Sequence, residues 1–243
     1  MKTRSLCLML LILGAMCGGA YSQKVVVTGN KVTYIRPNPL ADFKKNFTIN
    51  HPVVDAGSQA LSVKIESAIS FEKVIPLDIA EEVNEIQWLE NADYEVLYND
   101  NGALCVALSI EGSGAYPSGS TKTVVVDTLK GDRVKPADTF KNLTGLVALV
   151  KKAQKAEIAK SIRAIRKDPD FRDPDPKTLF VSANFKAEDL DWFSISNKGV
   201  TFNYDYGFPH VIQALQPDGK FFFSWKQLKP YIKAGSLLSR VAR

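Results

Sequence analysis

The chain has 243 residues, 45% of them hydrophobic and 23% charged, with 15 Gly and 12 Pro. That composition excludes a disordered polymer or a collagen-like repeat, and the length is ample to bury a core in one or two domains. A formal charge of +5 is too mild to call for a nucleic-acid partner.

Residues 1–22 read as a secretory signal peptide. Lys2 and Arg4 precede an apolar run, Leu6–Met16, which gives way to Gly18, Gly19 and Ala20. A basic start, a short apolar segment and a small-residue exit are what a cleaved leader requires. Ala20-Tyr21-Ser22 suits cleavage before Gln23, with cleavage before Tyr21 as the second choice. The run is shorter than the roughly 20 residues of a spanning helix, so an anchor is the weaker reading. Met16 also fits poorly in front of a lipid-modified Cys17. The expectation is a secreted or periplasmic protein whose mature chain has no transmembrane segment. Cys7 and Cys17 leave with the leader, so Cys105 remains alone and no intramolecular disulfide forms. Without Lys2 and Arg4 the 31 cations fall to 29 against 26 acids, a net of +3.

From residue 23 to 93 the pattern is extended, then helical. Val25–Thr28 and Lys31–Ile35 are β-branched runs separated by Gly29-Asn30, which predicts a tight hairpin. Arg36-Pro37-Asn38-Pro39 stops the ladder, and Phe47–Ile49 resumes it before His51-Pro52. Ser58–Ser70 has Leu61, Ile65, Ala68 and Ile69 on one helical face, with Ser58 as N-cap. Asp78–Leu89 is a weaker helical segment.

Residues 94–167 predict an antiparallel meander and one long helix. Tyr94–Tyr98 and Leu104–Ile110 flank Asn99-Asp100-Asn101-Gly102, a hairpin turn. Gly112–Ser120 reads as a loop whose glycines reach conformations closed to other residues. Thr121–Asp127 is a further strand, turned by Lys130-Gly131-Asp132. Over Leu143–Lys167, Leu146, Val147, Val150, Ile158, Ile162 and Ile165 share one half of a helical cylinder, and Lys152, Lys155, Arg163 and Arg166 lie opposite. Asn142 or Thr144 caps its start and Asp168-Pro169 ends it.

Residues 168–243 return to strands: Trp192–Ile195, Val200–Tyr206 and Phe221–Trp225, closed by a short helix over Leu228–Ile232. Strands and helices without regular βα alternation argue for an α+β fold, with antiparallel sheet packed against the long helix. The family-like part below and the N-terminal region are expected to form one unit, with two lobes meeting near residues 168–176.

The inventory for chemistry is thin. His51 and His210 have no metal-ligand spacing, and no nucleophile elbow or phosphate loop is present. No cofactor and no metal is called for. Cys105 with His210 is a conceivable nucleophile pair, but a cysteine in the middle of an apolar strand reads as a buried small hydrophobe. Asp168, Asp170, Asp173 and Asp175 lack the Gly and terminal Glu of a calcium loop and read as a solvated turn. The basic helix face, Lys152, Lys155, Arg163 and Arg166, is a candidate contact for an anionic surface against the ordinary reading of a solvated face. Tyr204-Asp205-Tyr206-Gly207-Phe208-Pro209-His210 and the Tyr116-Pro117 loop are aromatic-dense. Flat apolar faces beside an acid suit recognition of a carbohydrate or a protein, whereas a strand end packing its rings inward would have the same composition. Asn46-Phe47-Thr48 and Asn142-Leu143-Thr144 match glycosylation sequons, which matter only in a eukaryotic source.

Several of these segments carry a resemblance. Tyr94-Glu95-Val96 with Tyr98, Asn101-Gly102, Gly114-Ala115-Tyr116-Pro117 and Asp127–Gly131 resemble the first half of a bacterial extracytoplasmic family of largely unknown function. Gly199-Val200-Thr201-Phe202, Tyr204-Asp205, Gly219 and Ser224–Tyr231 resemble its second half. That family supplies the outer domain of lysozyme-sensing anti-sigma factors and a module preceding some peptidoglycan deacetylase domains. The resemblance implies a usually non-catalytic α+β domain that recognises a lysozyme-like protein or a cell-wall glycan. Where relatives often have Gly-Ala-His-Pro this chain has Tyr116, so a histidine-dependent role of that loop does not carry over. The candidate ligand-binding residues are Tyr116, Pro117, Tyr204, Asp205, Tyr206, Phe208 and His210. The alternatives are a wall-acting hydrolase or deacetylase using Asp205 with His210, and a structural subunit of an envelope assembly.

Overall fold

A computed structural model describes residues 24–114, 116–168 and 175–242. The expected leader, its expected cleavage point and the acidic positions Asp170 and Asp173 lie outside the described residues.

The first strand, β1 (Val26–Ile35), runs straight through Gly29-Asn30 and pairs along its whole length with β2 (Asn46–Asp55). The expected hairpin at Gly29-Asn30 is therefore absent. Gly29 is opposite Pro52, and the Asn50 side chain lies where a Cβ at 29 would sit, so this glycine makes room and does not turn the chain. Helix α1 (Gln59–Ala68) follows, its Ser58 hydroxyl accepting from Leu61 N as expected of the cap. After α2 (Phe71–Val74), the second helical segment forms only one short helix, α3 (Ile79–Asn84), capped by Asp78. Gln87, with a φ of 55°, precedes β3 (Leu89–Asp100).

Asn101 and Gly102 both have positive φ, 51° and 73°, as a two-residue hairpin turn demands. They lead into β4 (Ala103–Ser113). The segment read as a loop over Gly112–Ser120 is mostly strand, since β5 (Pro117–Asp127) starts opposite Ser113. Neither Gly112 nor Gly114 is left-handed; Gly112 is needed because the Trp88 indole and carbonyl occupy its Cβ position. With β6 (Asp132–Arg133) these strands form one sheet in the order β1-β2-β3-β4-β5-β6. All its pairings are antiparallel except β2–β3, a parallel seam at Thr48–Asn91 and Ile49–Ala92.

After α4 (Pro136–Thr139), the long helix α5 spans Leu143–Ile165 and is capped by Asn142, whose Oδ1 accepts from Gly145 N. A second, three-stranded sheet comprises β7 (Phe193–Ser196), β8 (Gly199–Asn203) and β9 (Lys220–Ser224). Strand β8 stops short of Tyr206. The closing helix starts earlier than expected, as α6 (Trp225–Leu228), because Ser224 and Gln227 form a capping box there, while Ile232 bridges Phe140. A last helix, α7 (Leu237–Val241), buries Leu237, Leu238 and Val241 and has no counterpart in the sequence reading. This is an α+β fold, as expected.

Both faces of the six-stranded sheet are covered. Leu104, Val106, Leu108 and Ile110 of β4 join Phe47, Ile49, Ile65, Ile69 and Phe71 in one core. The intervening Ala103 and Cys105 join Leu146 and Val150 of α5 and the rings of the small sheet in the other. A satellite cluster packs Ile158, Ile162 and Ile165 with Phe180, Tyr206 and Phe208. Arg36 is 2% exposed. Its guanidinium donates to the carbonyls of Glu82, Lys44 and Leu89 at 3.0, 2.7 and 2.7 Å and faces the Glu82 carboxylate at 3.7 Å.

Candidate functional site

The β4–β5 hairpin tip projects Tyr116, 63% of which is exposed. The turn closes with Gly114 N donating to Tyr116 O at 3.3 Å. From the far end of the chain, a 3-10 turn over His210–Leu215 returns His210 to this tip. The two rings stack with centroids 4.9 Å apart and planes 24° from parallel. His210 Nε2 lies 3.3 Å from Pro117 O, a carbonyl that can only accept a hydrogen bond. A tyrosine, a proline carbonyl and a histidine 93 residues away along the chain thus form one exposed aromatic platform.

The platform sits at the end of an open sheet edge. Val134 N donates to Val125 O, so odd-numbered residues of β5 turn their backbone groups away from β4. Strand β6 covers only Val126 and Asp127. At Thr123 the hydroxyl donates to Phe193 O, so the small sheet closes the edge there. Gly119 and Thr121, both exposed, keep outward N–H and C=O groups with no strand partner among the described residues. Pro117, having no N–H, heads this edge.

Further along β5 a cleft of about 330 Å³ is lined by Lys122, Glu188, Asp189, Trp192, Tyr204 and Asp205. The Lys122 ammonium sits 3.7 Å from the Trp192 ring centroid. Burial pulls its pKa below the usual lysine range, and the Asp205 carboxylate opposes that shift. Lys122 and Trp192 were missed as site residues. The only sequence signal was a charge within an otherwise apolar-going strand.

The heptapeptide 204–210 is split between surface and core. Asp205 and His210 are exposed, whereas Tyr206 and Phe208 are 7% and 8% exposed. Tyr206 Oη donates to Glu157 Oε2 at 2.7 Å, and Phe180 packs against both rings. The expectation that Tyr206 and Phe208 face a ligand is therefore corrected: the α5 surface and Phe180 take them. Tyr204 is half-buried, its hydroxyl accepting from Asn184 N.

Asp205 and His210 do not meet as an acid–base pair. Asp205 Oδ1 accepts from Gly207 N and Gln216 Nε2, and His210 is engaged with Pro117 and Tyr116. Nor does Cys105 reach His210. It is fully buried in the apolar core, and that burial pushes its thiol up to about 12, against a weaker opposing bond at Ile195. Lys152, Lys155 and Arg163 are exposed on α5, and Arg166, exposed at its C-cap, pairs with Asp175 at 3.3 Å. Among the described residues no cluster of His, Cys, Asp or Glu could hold a metal ion, and no helix is long and apolar enough to cross a membrane. A larger cleft, about 430 Å³, lies beside Asp127, Lys130, Arg133, Lys233 and Arg240. Its charges are partly spent internally, in Arg240–Asp127 at 2.9 Å and Lys64–Asp132 at 2.8 Å.

No protein-family model and no curated protein matches the sequence. The fold does have solved counterparts. A member of the DUF3298 family from Bacteroides fragilis superposes with a TM-score of 0.57 at 12% identity, covering 90% of this chain and 96% of that one. A DUF3298 family protein from Pseudomonas aeruginosa gives 0.54 at 13% identity, covering 88% and 96%. At such identities the fold is what is shared. The likeness expected from the sequence, to a bacterial family of unknown function, is met at that level.

Proposed function

We propose that this protein is an exported, non-catalytic recognition module that binds a lysozyme-like protein through the Tyr116–His210 platform and the adjoining edge of β5. The observation that carries the reading is the platform: two aromatic rings from distant segments, stacked and exposed at a hairpin tip. Loop tips on a rigid scaffold are where recognition residues concentrate, and exposed aromatics are the side chains that bind through them. An open strand edge beside them offers backbone donors and acceptors to an extended protein segment. The leader-like N-terminus and the resemblance to the outer domain of lysozyme-sensing anti-sigma factors support export and a protein ligand. A cell-wall glycan is the second reading, favoured by the flat, exposed Tyr116 ring stacked on His210. The separate engagements of Asp205, His210 and Cys105 favour binding over hydrolysis or deacetylation.

Calorimetry of the purified protein against lysozyme and against soluble peptidoglycan fragments tests this. Heat with lysozyme that persists at high salt and vanishes in a folded Tyr116→Ala variant is the expected result. Binding through the basic α5 face would instead fade with salt, since charges are screened beyond roughly 10 Å at 0.1 M. Turnover of fragments that is lost in Asp205→Asn would establish the hydrolase reading. Stable co-purification with a fixed envelope partner would establish the structural one. No heat with either ligand would remove the proposal.

A further inference from the structure

The outer edge of β1 is a second, longer open strand, distant in the sheet order from the β5 platform. Arg36 N donates to Lys45 O at 2.9 Å, continuing the register in which Ile35 faces Asn46. Even-numbered residues of β1 therefore exchange hydrogen bonds with β2, and odd-numbered ones turn their N–H and C=O outward. Val27, Gly29, Lys31 and Thr33 each present one donor and one acceptor to an edge that no strand covers among the described residues. The strand has no proline and no bulge, and Lys31 is its only charge. Val26 is 58% and Ile35 74% exposed. Natural edge strands are normally blunted by charges, prolines or bulges, and an edge lacking most of these pairs with another strand.

The sequence of the strand says which one. Outward from Asn30, Val26 mirrors Tyr34, Val27 mirrors Thr33, Thr28 mirrors Val32 and Gly29 mirrors Lys31. An antiparallel pair of identical strands about a two-fold axis at Asn30 would oppose β-branched and aromatic residues on both sides of the axis. Such pairs are the favourable cross-strand combinations. The two Lys31 side chains would face Gly29 and not each other. Odd residues would face odd residues, so every outward donor from Val27 to Thr33 would meet an acceptor. The register is bounded at Val26, because Val25 O is already taken by Asn99 Nδ2 at 2.7 Å. We infer that β1 pairs antiparallel with β1 of a second copy of this chain, about a two-fold axis at Asn30, joining two six-stranded sheets into one.

Sedimentation velocity of the purified protein over a wide concentration range should show a monomer–dimer equilibrium. Thr33→Pro removes an outward N–H while leaving the bonds to β2 untouched, and should weaken the dimer roughly tenfold or more. The register has its own readout. At a two-fold axis through a non-hydrogen-bonded pair the facing Cα atoms lie about 4.5 Å apart, within disulfide range. Asn30→Cys should therefore oxidise to a cross-linked dimer whose linked peptide maps to position 30. Thr28→Cys should not, since its symmetry mate lies four residues away, about 13 Å. A protein that stays monomeric at every concentration, a dimer unchanged by Thr33→Pro, or equal cross-linking at 28 and 30 would each overturn the proposal. Should Thr33→Pro fail to fold, the pair of cysteine variants still decides it.

Discussion

The two faces of the large sheet are packed by opposite strategies. On one, β4 supplies bulk, Leu104, Val106, Leu108 and Ile110, against α1 and its neighbours. On the other it supplies only Ala103 and Cys105, and the volume comes from Phe193, Phe202, Phe221 and Phe223 of the small sheet. A single strand thus alternates large and small, with bulky side chains toward the α1 side and small ones beneath the phenylalanine rings of the small sheet. Cys105 is accounted for as a small side chain beneath aromatics, a packing role and not a chemical one.

Ways of breaking this contrast run from severe to slight. Val150→Asp places a carboxylate beneath the rings and should lose about 4 kcal/mol or more, read as a collapse of the urea midpoint. Arg36→Ala strands the buried Glu82 carboxylate on the α1 side and should lose about 3–5 kcal/mol by the same measurement. Cys105→Leu overfills the ring-facing layer and should lose about 1–3 kcal/mol, whereas Cys105→Ala should lose about 1 kcal/mol. Equal effects of these two would remove the small-under-large account.

The gentlest probe is alkaline pH. Burial first, and then the bond to Glu157, hold the Tyr206 phenol above its ordinary pKa of 10.0. The folded chain keeps this proton where the unfolded chain releases it, so the group's contribution is complete below about pH 10 and declines as pH rises further. Tyr206→Phe should flatten that part of the stability–pH profile. The burial-raised phenols of Tyr34 and Tyr94 act in the same direction and leave a residual slope.

Legibility in the sequence followed the range of the forces. The Asn101-Gly102 turn, the Ser58 and Asn142 caps and the buried face of α5 are set by local chemistry, and all were readable. Gly29-Asn30 and Gly112–Ser120 misled because a glycine that makes room for Asn50 or Trp88 has the same letter as one that turns the chain. The site was half legible for a similar reason. Tyr116 and His210 stand out as aromatics in loops, but their stacking depends on a closure between distant segments that no spacing encodes. Tyr206 and Phe208 shared the same composition, and only the approach of Phe180 and Glu157 separates them from the surface. Arg36 gives no signal, because its carbonyl acceptors at Glu82 and Leu89 come from segments 46 and 53 residues away.

The parallel seam between β2 and β3 has a consequence for how the chain assembles. The meander from β3 to β5 closes through short turns and forms cheaply in entropy, as does the β1–β2 pair. Their union at Thr48–Asn91 and Ile49–Ala92 requires the whole helical excursion of α1 to α3 to be brought back first. Contacts of high sequence separation form slowly. The ribbon that carries the open β1 edge is thus expected to dock after the β3–β5 meander has closed, and only its docking brings Phe47 and Ile49 into the core shared with β4.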